Sequence, residues 1–267
     1  MKQYLAITTL VLFAACNGGK EPDHDDSIVP KPIPVIGYNI IAQYPHDTSA
    51  YTQGLQFYKG KLYEGTGDYE TSSLRITDIN TGRVEKKHMM GSAKIFGEGI
   101  NIFRDKIYQL TWESHIVYVY DINNIDKPIK TLNWPYEGWG LTNNGTDLIV
   151  SDGTANLYFV NPDDFKVKST IAVTDNGGPV QQLNELEYID GFVYANVYQT
   201  DYIVKIDPPS GHVVGKMNFP GIKEQYFPNQ IVPGRTDVMN GIAYDSTTKK
   251  IYVTGKRWPK LFEISLK

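Results

Sequence analysis

The chain has little of what several common chemistries require. It holds one cysteine, Cys16, so no disulfide can form within it. Its five histidines, His24, His46, His88, His115 and His212, are scattered without an H-x-H or HExxH pairing, which leaves a zinc site without ligands at usable spacing. No glycine pattern of the P-loop or dinucleotide type is present, and no serine sits in a nucleophile elbow. The formal net charge is only −4, which gives no electrostatic footprint for nucleic acid. No long segment repeats with a 3.6-residue apolar period, so the chain does not read as helical.

What is present begins with an address. Lys2 provides a positive start, and an apolar run of twelve residues from Tyr4 to Ala15 follows, too short to span a bilayer as a helix. Residues 1–15 therefore read as a signal peptide for export. Cys16, directly after Ala14 and Ala15, resembles the lipidated cysteine of a bacterial lipobox, with Phe13 in the place of the usual aliphatic residue. Lipidation there would anchor an exported protein to a membrane of the cell envelope. Residues 16–34 carry Gly18-Gly19, four acidic residues and four prolines, with too few apolar side chains to bury, and read as a flexible tether. The body, residues 35–267, is rich in Tyr, Val, Ile and Thr and is long enough for one large core.

The body repeats. Aligning Leu55, Ile100, Leu141, Leu186 and Ile242 superimposes YTQGLQFYKGKLYEGTG, FGEGINIFRDKIYQLTW, EGWGLTNNGTDLIVSDG, LNELEYIDGFVYANVYQ and VMNGIAYDSTTKKIYVTGK. The intervals between these anchors are 45, 41, 45 and 56 residues. In each unit a strand begins at the anchor and a second follows at Tyr63, Tyr108, Ile149, Tyr194 and Tyr252. A third strand ends near Asp78, Asp121, Asn161, Asp207 and Glu263. A fourth is available in four units, at 83–90, 129–134, 166–173 and 212–219. Four strands per unit of this length is the pattern of a propeller blade, so the expected fold is an all-β, five-bladed β-propeller. The fifth unit ends after three strands. Residues 38–44, YNIIAQY, are expected to supply its fourth, closing the ring and covering two sheet edges.

In a propeller, equivalent positions converge at one end of the central channel. Two residues before each anchor stand Gln53, Glu98, Trp139, Asn184 and Asn240. Four residues after the start of each second strand stand Gly67, Trp112, Gly153, Tyr198 and Lys256. Positions kept for packing alone would repeat one residue type, whereas these differ blade by blade, as a binding site does. Together they describe a pocket with one acid, three amides, one amine and aromatic walls, to which Tyr51 and Phe96 add. Glu98 lies between Gly97 and Gly99, which is expected to leave the carboxylate unshielded and its backbone free to bend toward a ligand. Asp152 and Asp207 are assigned to turns, and Trp258 to the core.

The segments AYTQGL, FGEGI, YQLTW, GWGL, SDGT, LNELEY, YANVYQTD, MNGIAYD and VTGKRWPKLFEI, in that order, resemble the glutamine cyclotransferase family, the plant and bacterial type of glutaminyl-peptide cyclotransferase. The resemblance covers the chain from about Tyr38 to its end and implies a five-bladed propeller. It implies cyclisation of an N-terminal glutamine on peptides or proteins to pyroglutamate with loss of ammonia, without a metal or other cofactor. By motif, the catalytic acid falls on Glu98. Gln53, Asn184 and Lys256 match positions that hold the substrate, and Trp112 and Trp139 match aromatic walls. Tyr198 stands where plant members have tryptophan and Tyr51 where they have phenylalanine, which implies altered substrate preference. The alternative from a different class is a non-catalytic propeller that binds peptides or another envelope ligand. A metal-dependent propeller hydrolase would need several convergent carboxylates, and the two rings contain one.

Overall fold

The computed structural model describes residues 32–90 and 92–267. The expected signal peptide, Cys16 and most of the tether lie outside the described residues. Five four-stranded antiparallel sheets are arranged as the blades of a β-propeller. Blade I comprises Thr52–Tyr58, Lys61–Thr66, Ser73–Thr77 and Val84–Met89, from the axis outward. Blade II comprises Gly97–Phe103, Lys106–Thr111, Ile116–Asp121 and Lys130–Asn133, and blade III Leu141–Asn143, Leu148–Ser151, Asn156–Val160 and Val167–Ala172. Blade IV comprises Leu183–Ile189, Phe192–Val197, Tyr202–Ile206 and Val213–Asn218. Blade V has Met239–Asp245, Lys250–Gly255 and Lys260–Leu266, and its outer strand is the N-terminal segment Tyr38–Pro45.

That closure runs antiparallel from Tyr38 opposite Leu266 to Pro45 opposite Lys260, with one irregularity between Ile40 and Ala42. The ordered contacts start before the expected boundary at residue 35: Ile33 packs against the core of blades III and IV, and Lys216 N–H donates to Pro34 O.

Local sequence explains the repeat. The first hairpins of blades I, II and IV turn on two residues with positive φ, Lys59-Gly60, Arg104-Asp105 and Asp190-Gly191, the two-residue turn whose twist matches that of the flanking strands. This fixes the eight-residue spacing between anchor and second strand, although those strands start two residues earlier than Tyr63, Tyr108 and Tyr194. The third-to-fourth-strand turns begin at Asp78, Asn161 and Asp207. In each, the side-chain oxygen accepts a backbone N–H two or three residues on, and the turn closes through a positive-φ residue, Gly82, Phe165 or Gly211. Asp152 likewise caps a turn at Thr154.

Burial falls from the axis outward. Every residue of Gly97–Phe103 is buried, whereas Tyr38–Pro45 alternates between half-buried and exposed, as expected for strands covered on both faces and for an edge strand respectively. The apolar core is divided into five clusters, one between each pair of neighbouring blades. Trp258 is fully buried in the cluster between blades IV and V, and its indole N–H donates to Asp237 O.

Candidate active site

The inner strands deliver their polar residues through a shared irregularity. In blades I, II, IV and V the pairing of first and second strands slips next to the ring position, between Thr52 and Gly54, Gly97 and Ile100, Leu183 and Leu186, and Met239 and Ile242. Gln53, Glu98, Asn184 and Asn240 each lie in one of these bulges. A bulge turns a side chain out of the alternation that would otherwise bury it in the sheet core.

A cavity of about 220 Å3 results, lined by Tyr51, Gln53, Phe96, Glu98, Trp112, Trp139, Asn184, Tyr198 and Lys256. Nine of the ten expected substrate-contacting or catalytic residues therefore surround one space. Asn240 does not. It is fully buried, and its amide donates to Thr52 O at 2.9 Å and Gln53 Oε1 at 3.2 Å. Asn240 shares the ring position and is hydrogen-bonded to Gln53, which lines the cavity.

The two second-ring glycines make room as expected, and for identifiable neighbours. A Cβ at Gly67 would lie 2.3 Å from the Phe96 ring, and one at Gly153 would lie 2.6 Å from the Trp139 indole. The glycines flanking Glu98 act differently from expectation. Glu98 is only 4% exposed. The absence of a side chain at Gly99 serves a close approach between blades II and III, where a Cβ would lie 2.6 Å from Trp139 O and where Gly99 N–H donates to that same oxygen.

Glu98 Oε1 accepts a hydrogen bond from Gln53 Nε2 at 2.9 Å, and its buried Oε2 receives none from the described residues. Burial holds the Glu98 carboxyl well above the usual carboxylate range; Lys256 opposes this and Glu137 adds to it. Lys256 is 2% exposed, and burial lowers its affinity for a proton against the pull of Glu98, Asp237 and Asp68. Its Nζ forms no ion pair among the described residues and lies 4.7 Å from the ring centres of both Tyr51 and Tyr198, a cation held by aromatic faces. Asn184 Oδ1 is a second buried acceptor without a donor among the described residues. The cavity thus presents two unused acceptors, one amine and aromatic walls.

Two supporting residues escape sequence reasoning. Glu137 Oε2 accepts both indole N–H groups, from Trp112 at 2.7 Å and from Trp139 at 2.9 Å, so one carboxylate fixes both tryptophan planes. Asp237 Oδ2 accepts the Tyr51 hydroxyl at 2.9 Å; burial and this carboxylate keep the phenol protonated far above its ordinary range. The only signal for Glu137 is its place in the EGWG segment, two residues before Trp139. Glu185 and Glu187, in LNELEY, are also buried carboxylates.

The family model described as glutamine cyclotransferase matches residues 8–266. Over 232 residues, 85% of this chain and 71% of the relative, the sequence is 40% identical to a glutaminyl-peptide cyclotransferase of Arabidopsis thaliana. The crystal structure of Myxococcus xanthus glutaminyl cyclase superimposes with a TM-score of 0.80 at 34% identity, covering 88% of this chain and 98% of that one. With the propeller, the cavity and these matches in hand, the chain belongs to the glutamine cyclotransferase family.

Proposed function

We propose that the protein is a glutaminyl-peptide cyclotransferase in which Glu98 transfers the protons. The observation that carries the reading is the unpartnered Glu98 Oε2, a carboxyl oxygen buried in an aromatic-walled cavity beside an amine. The family and the named relatives support the substrate: a peptide or protein with glutamine at its N-terminus.

In the reaction the α-amino nitrogen bonds to the γ-carboxamide carbon of the same residue, and the C–N bond to the amide nitrogen breaks. One proton leaves the attacking nitrogen and one reaches the departing nitrogen, so that ammonia and a pyroglutamyl peptide are the products. Both reacting groups belong to one residue, so the enzyme's main work is to hold the ring-forming conformer. The Trp112, Trp139 and Phe96 walls restrict that side chain and exclude water. Glu98 Oε2 takes the proton from the attacking nitrogen and returns one to the leaving nitrogen. Its raised pKa brings the carboxyl nearer that of an α-amino group, ordinarily about 7.7–8.0, which suits shuttling in both directions. Gln53 holds Oε1, so Oε2 faces the substrate. Lys256 stabilises the charge that develops on the carboxamide oxygen, and Asn184 Oδ1 accepts from substrate N–H.

The cavity lining offers one carboxylate and no His or Cys, a donor set unsuited to zinc, and the reaction is proposed to proceed without a metal. A peptide with N-terminal glutamine, incubated with the chelator-treated protein, is expected to lose the mass of one ammonia and yield a blocked N-terminus. Conversion to an N-terminal glutamate, or no conversion by a folded protein, would refute this. The reading of residues 1–16 adds a proposal of place, an exported protein tethered to an envelope membrane through lipid on Cys16. Fatty-acid labelling that survives in the Cys16→Ser variant would contradict it.

A further inference from the structure

A second cavity, of about 430 Å3, lies between blades I and V. Four cations, Arg75, Lys87, Arg235 and Arg257, line it with a single acid, Asp68, which pairs with Arg257. Arg75 is 2% exposed, yet its guanidinium is only partly used: Nε donates to Ser73 Oγ and Nη1 to Asp47 Oδ2, while Nη2 meets no acceptor among the described residues. The side chains of Lys87 and Arg235 make neither ion pairs nor hydrogen bonds among the described residues. Burial and the like charge of Arg75 lower the Lys87 pKa, against the opposing pull of Asp47 and Glu64.

This cavity shares a wall with the catalytic one. At the ends of the second strands of blades V and I, Lys256 and Gly67 belong to the catalytic ring, and the next residues, Arg257 and Asp68, belong to the basic cavity. Tyr51 stands between them: Lys256 Nζ lies 4.7 Å from its ring centre and the Arg257 guanidinium 5.0 Å. A peptide whose first residue fills the catalytic cavity crosses that one ring within about one to three extended residues of about 3.4 Å each.

We propose that the basic cavity is a subsite for the substrate chain just beyond its N-terminal glutamine, selecting peptides that carry a carboxylate there, from an acidic side chain or from the C-terminus of a short peptide. The proposal rests on the cyclase reading above. Guanidinium groups fit a carboxylate with paired hydrogen bonds, and Lys87 and Arg235 have charge to spare. Because the contact is remote from the reacting atoms, it strengthens substrate binding without changing the chemical step.

The test compares synthetic peptides with N-terminal glutamine that are neutral throughout, that carry Glu at position 2, 3 or 4, or that end in a free carboxylate instead of an amide. Acidic peptides are expected to show a KM about tenfold lower than the neutral amidated peptide, at equal kcat. A lower KM for the Glu series alone assigns the subsite to side chains, and one for the free acids alone assigns it to the C-terminus. The Lys87→Ala/Arg235→Ala variant should lose that preference while turning over the neutral peptide like the parent protein. Equal KM for acidic and neutral peptides, or a preference that survives in the double variant, overturns the proposal. Should no peptide turn over, the cyclase reading fails. Calorimetric binding of the same peptides then decides this one separately, equal affinity for acidic and neutral peptides overturning it.

Discussion

Glu98 and Glu185 both sit in bulged segments of inner strands, are both almost wholly buried, and are both pushed by that burial well above the usual carboxylate range. Their partners differ. Glu185 spends both oxygens on backbone: Oε1 accepts Leu55 N–H of blade I at 3.1 Å and Oε2 accepts Ile242 N–H of blade V at 2.8 Å. It ties three inner strands together across the channel. Glu98 spends one oxygen on Gln53, and the other receives no hydrogen bond from the described residues. Glu64 makes a third case, its burial overcome by His46, which with Thr52 holds its carboxyl below the usual range. Burial alone therefore does not mark a catalytic acid. The proposed catalytic role rests instead on an unused oxygen in a residue that lines a cavity, because a buried carboxylate oxygen that is fully partnered is already committed to the fold.

Replacing Glu98 should separate the two glutamates most sharply. Glu98→Gln keeps the shape and the Gln53 neighbour but cannot shuttle protons, so kcat should fall about 10²- to 10⁴-fold. Next, Glu185→Leu leaves two buried N–H groups without an acceptor, at about 1–3 kcal/mol each. Thermal unfolding should show a markedly lower Tm, with turnover per folded molecule retained. If Glu185→Leu instead abolished turnover at unchanged Tm, the two glutamates would have been assigned the wrong way round. Glu137→Ala removes the shared acceptor of two indoles, and kcat/KM should fall about tenfold through loosened walls.

A subtler effect concerns pH. The folded-state pKa of Glu98 lies above its unfolded value, so the native protein holds the proton more tightly and loses stability as pH rises from the ordinary carboxylate range through the raised one. Glu98→Gln cannot ionise, so its Tm should match the parent below about pH 4 and exceed it at neutral pH. Equal Tm values across that range would show that the carboxyl is not perturbed. The smallest effect is Tyr51→Phe, which removes only the hydroxyl donated to Asp237. It should change stability by about 1 kcal/mol or less, and a change in peptide preference would be its main trace in kinetics.

Most of the fold is legible in the repeat itself. Five anchors correspond to five blades, and the three-stranded fifth unit points to the N-terminal strand that pairs with Lys260–Leu266. The site is legible because blade symmetry collects equivalent positions, and nine of its residues follow from the two rings and the aromatics beside them. What symmetry cannot supply is which way a side chain turns once it gets there. Asn240 shares its ring position with Glu98 but is fully buried, with its amide donated to Gln53. The roles of Glu137, Asp237 and Glu185 depend on hydrogen bonds across blades, between residues as far apart as Tyr51 and Asp237, and no local pattern records these. The flanking glycines serve another end than the one expected from the sequence, since Gly99 accommodates strand approach and Glu98 is buried.

Whether the spare oxygen of Glu98 carries the protons of the proposed glutamine cyclisation is decided by single-turnover ammonia release from a glutaminyl peptide. The parent protein and Glu98→Gln should be compared at saturating peptide, each with its Tm measured. Rapid release is expected from the parent, with a fall of at least about a hundredfold in a variant that folds as well or better. Release at the parent's rate from a folded Glu98→Gln protein would contradict that role for Glu98.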